Sequence, residues 1–214
     1  MDNISSLEKS IARSLLDIGA IGFSINKPIT FVSGICSPVY VDNRILPSHP
    51  DDWRKVIEGF VKVIKDKNIQ FDIIAGIESG GIPHSAALGF LLGKPSVFVR
   101  KKVKDHGVGK RIAGGKVEGK KVLLIEDLVT TGGSSIAGVE ALREEGAKVT
   151  DCLIIVGYGF KKARNTFLNA HVRLHSLTTF LVVLNEAVAK QIINNQEELV
   201  IKKFLNNPHN WLWA

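Results

Sequence analysis

Apolar positions along this chain change their rhythm near residue 71. Before it they recur at helical spacing. Ile11, Leu15, Leu16 and Ile18 follow a Ser5-x-x-Glu8 capping box, which predicts a first helix running to Gly19. Trp53, Val56, Phe60, Val63 and Ile64 repeat that spacing after Ser48-His49-Pro50 and predict a second helix from about Asp51. Short extended segments are expected between the two, around 21–25 and 29–32. Beyond residue 71, compact apolar runs at 71–75, 96–99, 121–125 and 149–156 read as strands, alternating with helical stretches at 83–92 and 134–145. A further strand near 172–176 precedes helical segments around 180–193 and 197–205. Runs that are apolar throughout suit strands covered on both faces, and strand–helix alternation gives right-handed βαβ units. The pattern predicts an α/β fold with a mostly parallel central sheet flanked by helices, formed by residues 1–214 as one domain.

One of these strands leads into a run of unusual chemistry. Val122 to Ile125 are followed by two adjacent carboxylates, Glu126 and Asp127, then Leu128 and Val129, then Thr130-Thr131-Gly132-Gly133-Ser134, where the next helix starts. A loop of small residues feeding a helix N-terminus offers several backbone N–H groups at once, which suits a phosphate dianion. The two carboxylates would repel that phosphate. They are better placed to accept hydrogen bonds from neutral hydroxyls of the same ligand, and phosphate with a vicinal diol describes a phosphorylated ribose. The Lys-Ser/Thr of a P-loop and the GxGxxG of a dinucleotide fold are both missing.

Between the strands at 96–99 and 121–125 lies a connection long for a compact domain, with Arg100, Lys101, Lys102, Lys104, His106, Lys110 and Arg111 and five glycines between 107 and 119. Taken alone it is a solvated charged loop. Beside a ribose-phosphate site it is suited to close over a pyrophosphate group. The net charge of +7 fits either a nucleic-acid surface or a polyanionic small substrate, and the dense cluster at 100–111 favours the second. At 214 residues with 45% hydrophobic and 23% charged positions, the composition is that of an ordinary globular chain. It shows no apolar leader and no run long enough to span a bilayer. Cys36 and Cys152 lie far apart with no metal-ligand spacing, so a reducing cytoplasm is expected.

The run from Val122 to Ser135 resembles the phosphoribosyl-pyrophosphate (PRPP) motif of type I phosphoribosyltransferases. Arg100-Lys101-x-x-Lys104-Asp105-His106-Gly107 is similar to the catalytic loop of the orotate phosphoribosyltransferase family. Ser33-Gly34-Ile35-Cys36-Ser37-Pro38-Val39-Tyr40-Val41-Asp42-Asn43-Arg44 is similar to that family's N-terminal segment, Ser-Gly-x-x-Ser-Pro-x-Tyr-x-Asp-x-Arg. The three segments stand in the family's order across about residues 5–180.

The resemblance implies a type I phosphoribosyltransferase fold with a small N-terminal hood over about 1–45. It also implies transfer of phosphoribose from PRPP to orotate, giving orotidine 5′-monophosphate and pyrophosphate in pyrimidine synthesis. By the same resemblance Glu126 and Asp127 would hold the ribose hydroxyls, the segment Leu128, Val129, Thr130, Thr131, Gly132, Gly133, Ser134 would bind PRPP with its 5′-phosphate on Thr130 to Ser134, and Thr130 would approach orotate. Arg100, Lys101, Lys104 and His106 would bind pyrophosphate, with Lys104 and Asp127 the catalytic candidates. Mg²⁺ would be held through PRPP oxygens and water, and the active sites would be shared within a homodimer. A phosphoribosyltransferase for another base, or a PRPP-sensing transcription regulator on the same fold, are the alternatives; a regulator would need a DNA-binding domain that residues 1–70 are short for.

The chain departs from the family's pattern in three places, and the last bears on the base. The loop Ala75-Gly76-Ile77-Glu78-Ser79-Gly80-Gly81-Ile82-Pro83 is similar to the family's pyrophosphate-contacting loop and also reads as a plain βα turn. Some members carry Lys where Gly80 stands, so backbone contacts would have to serve here. Many carry Lys where this chain has Val32. The stretch Val156-Gly-Tyr-Gly-Phe-Lys-Lys-Ala-Arg164 lacks the family's acidic loop and its orotate-binding Arg, leaving Tyr158, Lys161 and Arg164 as candidates. His84, His171, His175 and Trp53 read as structural. Trp211 and Trp213 suit either the core or a subunit interface.

Overall fold

A computed structural model describes residues 6–30, 34–101, 111–208 and 211. In chain order it comprises α1 (Ser6–Asp17), β1 (Ile21–Phe23), β2 (Ile29–Thr30), β3 (Cys36–Ser37), β4 (Val39–Val41), a 3-10 turn (Asn43–Ser48), α2 (Pro50–Asp66), β5 (Ile73–Ile77), α3 (Gly81–Leu92), β6 (Ser96–Val99) and β7 (Ile112–Ala113). There follow β8 (Lys121–Val129), α4 (Gly133–Glu144), β9 (Lys148–Gly157), α5 (Lys161–Asn169), β10 (Arg173–Thr179), α6 (Phe180–Ala189) and α7 (Asn195–Asn206).

Six strands form the central sheet in the order β10-β9-β8-β5-β6-β7, all neighbours parallel except β6 with β7. Alternation along the strands sorts side chains onto two faces. Leu123, Ile125, Leu153, Ile155 and Leu177 join the core formed with α1, α2, α6 and α7, while Val122, Leu124, Cys152 and Ile154 join the core under α4 and α5. Because both faces are covered, the runs at 122–125 and 152–156 within these strands are apolar throughout.

After β5 the chain adds β6 on one side, then crosses to place β8 on the other. The C-terminal ends of β5 and β8 therefore flank a topological switch point, where parallel sheets open a crevice for ligands. The N-terminal strands make two small antiparallel ribbons, β1 with β4 and β2 with β3. The turn after β4 reaches this crevice, since the Asn43 side chain donates to the Asp127 carbonyl at 2.9 Å.

Sequence and structure differ in detail. The strand expected to stop at the carboxylates runs through them to Val129, because β9 continues to Gly157 and keeps pairing, Glu126 opposite Ile154 and Leu128 opposite Val156. The helix expected to reach 193 ends at Ala189, where Lys190 closes it and Gln191 turns with φ 58°. The long connection after β6 carries a short strand, β7, whose pairing with β6 was not predicted; its residues 102–110 lie outside the described residues. Trp211 packs edge-on against Phe204 in the core, with ring centroids 5.7 Å apart.

Candidate active site

A cleft of about 470 Å³ opens at the switch point. One wall is the end of β8 with Glu126, Asp127, Leu128 and Ser134; a second is the loop from Glu78 to Gly80 with Lys101; a third is Val41, Asp42 and Arg44 from the N-terminal segment.

The two carboxylates are not equivalent. Glu126 is only 5% exposed. Its burial, then a hydrogen bond to the Asp127 carboxyl and that group's negative charge, push its pKa well above the usual carboxylate range, against a smaller opposing pull from Lys101. Asp127 is half-buried and extends under the β5–α3 loop. A Cβ added at Gly80 would lie 2.3 Å from the Asp127 Cγ and 2.4 Å from both carboxylate oxygens. Gly80 has ordinary helical angles (φ −67°, ψ −36°), so the glycine is required by space rather than by conformation. At Gly81 a Cβ would lie 2.3 Å from the Ile125 carbonyl oxygen, so this loop sits directly on the backbone of β8.

The phosphate cradle is built by the turn into α4. Gly132 caps that helix at φ 84°, a left-handed conformation suited to glycine, and a Cβ there would press on the Phe167 ring at 3.0 Å. No side chain caps the N-terminus of α4, and Gly133 and Ser134 are exposed, so the first-turn N–H groups can meet an anion. Thr130 and Thr131 are half-buried beside them, whereas the Val129 side chain is buried in the core under α4 and α5.

Of the basic residues predicted to meet pyrophosphate, Lys101 lines the cleft and its N–H donates to Glu78 Oε2 at 3.0 Å. The Arg100 guanidinium lies 5.7 Å from the centre of the Phe98 ring and its carbonyl accepts from Arg111 Nε at 3.1 Å. Lys104 and His106 fall outside the described residues. The candidates for the base do not gather at the cleft. Tyr158 is buried in the core, stacked on Phe180 at 4.9 Å, Lys161 is exposed, and Arg164 lines a different, apolar cleft of about 430 Å³ beside α5. Sequence reasoning missed two parts of the site: the Asn43 tie to β8 and the space that Gly80 leaves for Asp127. Both are contacts across more than forty positions of chain, for which local pattern holds no signal.

His84 lies in the first turn of α3, just after the Gly80–Gly81 loop. It is fully buried, and its Nδ1 accepts a hydrogen bond from Trp53 Nε1 at 2.9 Å. Burial lowers its pKa from 6.5 to about 4. The neutral imidazole thus stabilises the fold above pH 6.5, and this contribution is lost as the pH falls toward 4, because the unfolded chain takes up the proton first. Unfolding by urea at pH 7 and pH 4.5 is expected to show a steeper loss for the wild type than for His84→Asn, by up to about 3 kcal/mol. Parallel pH dependences for the two proteins would remove His84 from this role.

Adjacent carboxylates at a switch point, a bare helix N-terminus beside them and Lys101 on the facing wall define a class of protein that handles a phosphorylated sugar. In agreement, residues 46–174 match the phosphoribosyl transferase domain family. The chain is 37% identical over 201 residues to the orotate phosphoribosyltransferase of Coxiella burnetii, covering 94% of this chain and 96% of that one. It is 37% identical over 208 residues to that of Enterococcus faecalis, covering 97% and 99%. Among solved structures, the orotate phosphoribosyltransferase of Aeropyrum pernix superposes with a TM-score of 0.73 at 28% identity, covering 82% of this chain and 97% of that one. The chain belongs to the orotate phosphoribosyltransferase family.

Proposed function

We infer that this chain transfers the phosphoribosyl group of PRPP to orotate, giving orotidine 5′-monophosphate and pyrophosphate in pyrimidine nucleotide synthesis. The observation that carries the reading is the Glu126–Asp127 pair at the mouth of β8, facing the Gly80 loop, in a chain 37% identical over nearly its whole length to orotate phosphoribosyltransferases. In the reaction the anomeric C–O bond breaks, its electron pair leaves with pyrophosphate, and a ring nitrogen of orotate, losing its proton, forms the new C–N bond. The sugar passes through an oxocarbenium-like state.

In this reading Asp127 and Glu126 accept hydrogen bonds from the ribose hydroxyls, and the turn from Thr130 to Ser134 holds the 5′-phosphate, with Thr130 toward the base. Arg100, Lys101, Lys104 and His106 meet the pyrophosphate. Among the described residues no three His, Cys, Asp or Glu converge on a metal cage. Of the four cleft carboxylates Asp42 is paired with Arg44, and Glu78, Glu126 and Asp127 suit a hydrated Mg²⁺ carried on PRPP, where they would face its waters. When bound, the ion neutralises charge on the departing pyrophosphate.

A homodimer with shared sites is proposed on the family's pattern, with light scattering as its check. No helix among the described residues is long and apolar enough to cross a membrane. Both cysteines are free thiols, which supports the cytoplasm as the proposed setting.

The direct test is PRPP-dependent loss of orotate absorbance with purified protein, beside uracil, hypoxanthine and adenine. Turnover of one of those bases and not of orotate would sink the assignment. For the loop, Lys104→Ala is expected to lower kcat about a hundredfold or more, with a much smaller change in PRPP affinity. Unchanged turnover would remove Lys104 from the chemistry.

A further inference from the structure

If the β8 end takes the ribose and the Glu78–Gly80 wall with Lys101 takes the pyrophosphate, the base is left to the third wall, Val41, Asp42 and Arg44. Orotate differs from uracil by a ring carboxylate, which calls for a cation. Among the described residues lining the cleft the cations are Lys101, tied by its backbone to the pyrophosphate wall, and Arg44.

Arg44 is held in a defined pose. Its Nε donates to Asp42 Oδ1 at 2.6 Å and its Nη2 to Asp42 Oδ2 at 2.8 Å. Tyr40 donates its hydroxyl to the same carboxylate at 2.9 Å, and Asp42 Oδ1 also accepts the Arg44 N–H at 3.1 Å, fixing the start of the 3-10 turn. A guanidinium has five N–H donors, and Asp42 uses one edge. The Nη1–Nη2 edge remains, a second planar fork matched to a carboxylate, on a side chain still 61% exposed. Because Asp42 already orders the side chain, a second carboxylate has less freedom to freeze out on binding. The residues that the sequence offered for this contact are elsewhere: Tyr158 in the core, Lys161 on the surface and Arg164 in another cleft.

We propose that Arg44, braced by Asp42 and Tyr40, receives the orotate carboxylate on its Nη1–Nη2 edge and so sets the choice of base. The proposal rests on the orotate reading above. Its test is steady-state kinetics of the wild type, Arg44→Ala, Arg44→Lys and Arg164→Ala with orotate and with uracil, beside thermal unfolding of each. Arg44→Ala is expected to raise KM for orotate about ten- to a hundredfold while KM for PRPP changes by less than about threefold. The preference for orotate over uracil falls with it, Arg44→Lys recovers part of the loss, and Arg164→Ala behaves as the wild type. Should Arg44→Ala unfold, Arg44→Lys carries the test, because a point charge cannot reproduce the fork and orotate KM still rises.

An orotate KM that stays put in Arg44→Ala, rises equally with that for PRPP, or rises in Arg164→Ala instead overturns the proposal and leaves the orotate reading intact. A wild type that consumes PRPP with another base and not with orotate overturns both.

Discussion

Asp127→Asn is expected to lower kcat/KM for PRPP by about a hundredfold or more, while its neighbour Glu126→Gln raises the melting temperature at neutral pH. The first effect follows from the hydrogen bonds that a charged carboxylate accepts from the ribose hydroxyls and a neutral amide cannot match. The second follows from burial. With its folded pKa raised, Glu126 favours the fold below the ordinary carboxylate range, and that advantage is lost as the pH rises through the folded value. At neutral pH the buried group is therefore a burden that a neutral isostere of the same shape removes. The stabilisation should shrink below about pH 4, where the carboxyl is protonated in folded and unfolded states alike. Kinetics with varied PRPP and melting curves at pH 4 and 7.5 decide the matter. If both variants melt alike and bind PRPP like the wild type, the two carboxylates do not divide the work in this way.

The division was only half legible in the sequence. Adjacent acids between an apolar strand and a Thr-Thr-Gly-Gly-Ser loop announce a diol beside a phosphate, because each piece of that chemistry is local. Strand and helix positions were legible for the same reason: apolar runs buried on both faces and helical spacing are properties of neighbouring residues. What lay beyond reach depends on contacts between distant segments. Nothing in the run itself says that β9 would extend β8 through both carboxylates, or that Glu126 would be the deeper of the two on the cleft wall while Asp127 stays half-buried. Nor could the stretch from Val156 to Arg164 reveal that its tyrosine turns into the core and its arginine into another cleft. Arg44 was visible only as the last letter of a motif; its place on the cleft wall came from the fold.

Gly80→Ala should be nearly as damaging to catalysis as removing the Asp127 charge, although it adds one methyl group. The backbone angles at Gly80 are those of a right-handed helix, so alanine can adopt them without strain. The added carbon would lie 2.3 Å from the Asp127 Cγ, closer than real Cβ atoms approach any neighbour, so either the carboxylate or the loop must move. A displaced carboxylate misses the ribose hydroxyls, and a displaced loop carries Ser79 and Glu78 away from the pyrophosphate. Misplacement of this size costs about a hundredfold in rate. Because a side chain can swing aside, the stability lost should be modest, about 1–2 kcal/mol. At Gly81 the obstacle is the Ile125 carbonyl in the middle of the sheet, which cannot yield, so Gly81→Ala should lose stability more than its neighbour does. A double-mutant cycle separates the explanations. If Gly80→Ala acts through the Asp127 carboxylate, adding it to Asp127→Asn should cost little further activity, because the group it displaces has already lost its role. Full additivity of the two substitutions would show that the methyl group harms the enzyme by another route, and that the space above Asp127 is not what the glycine is for.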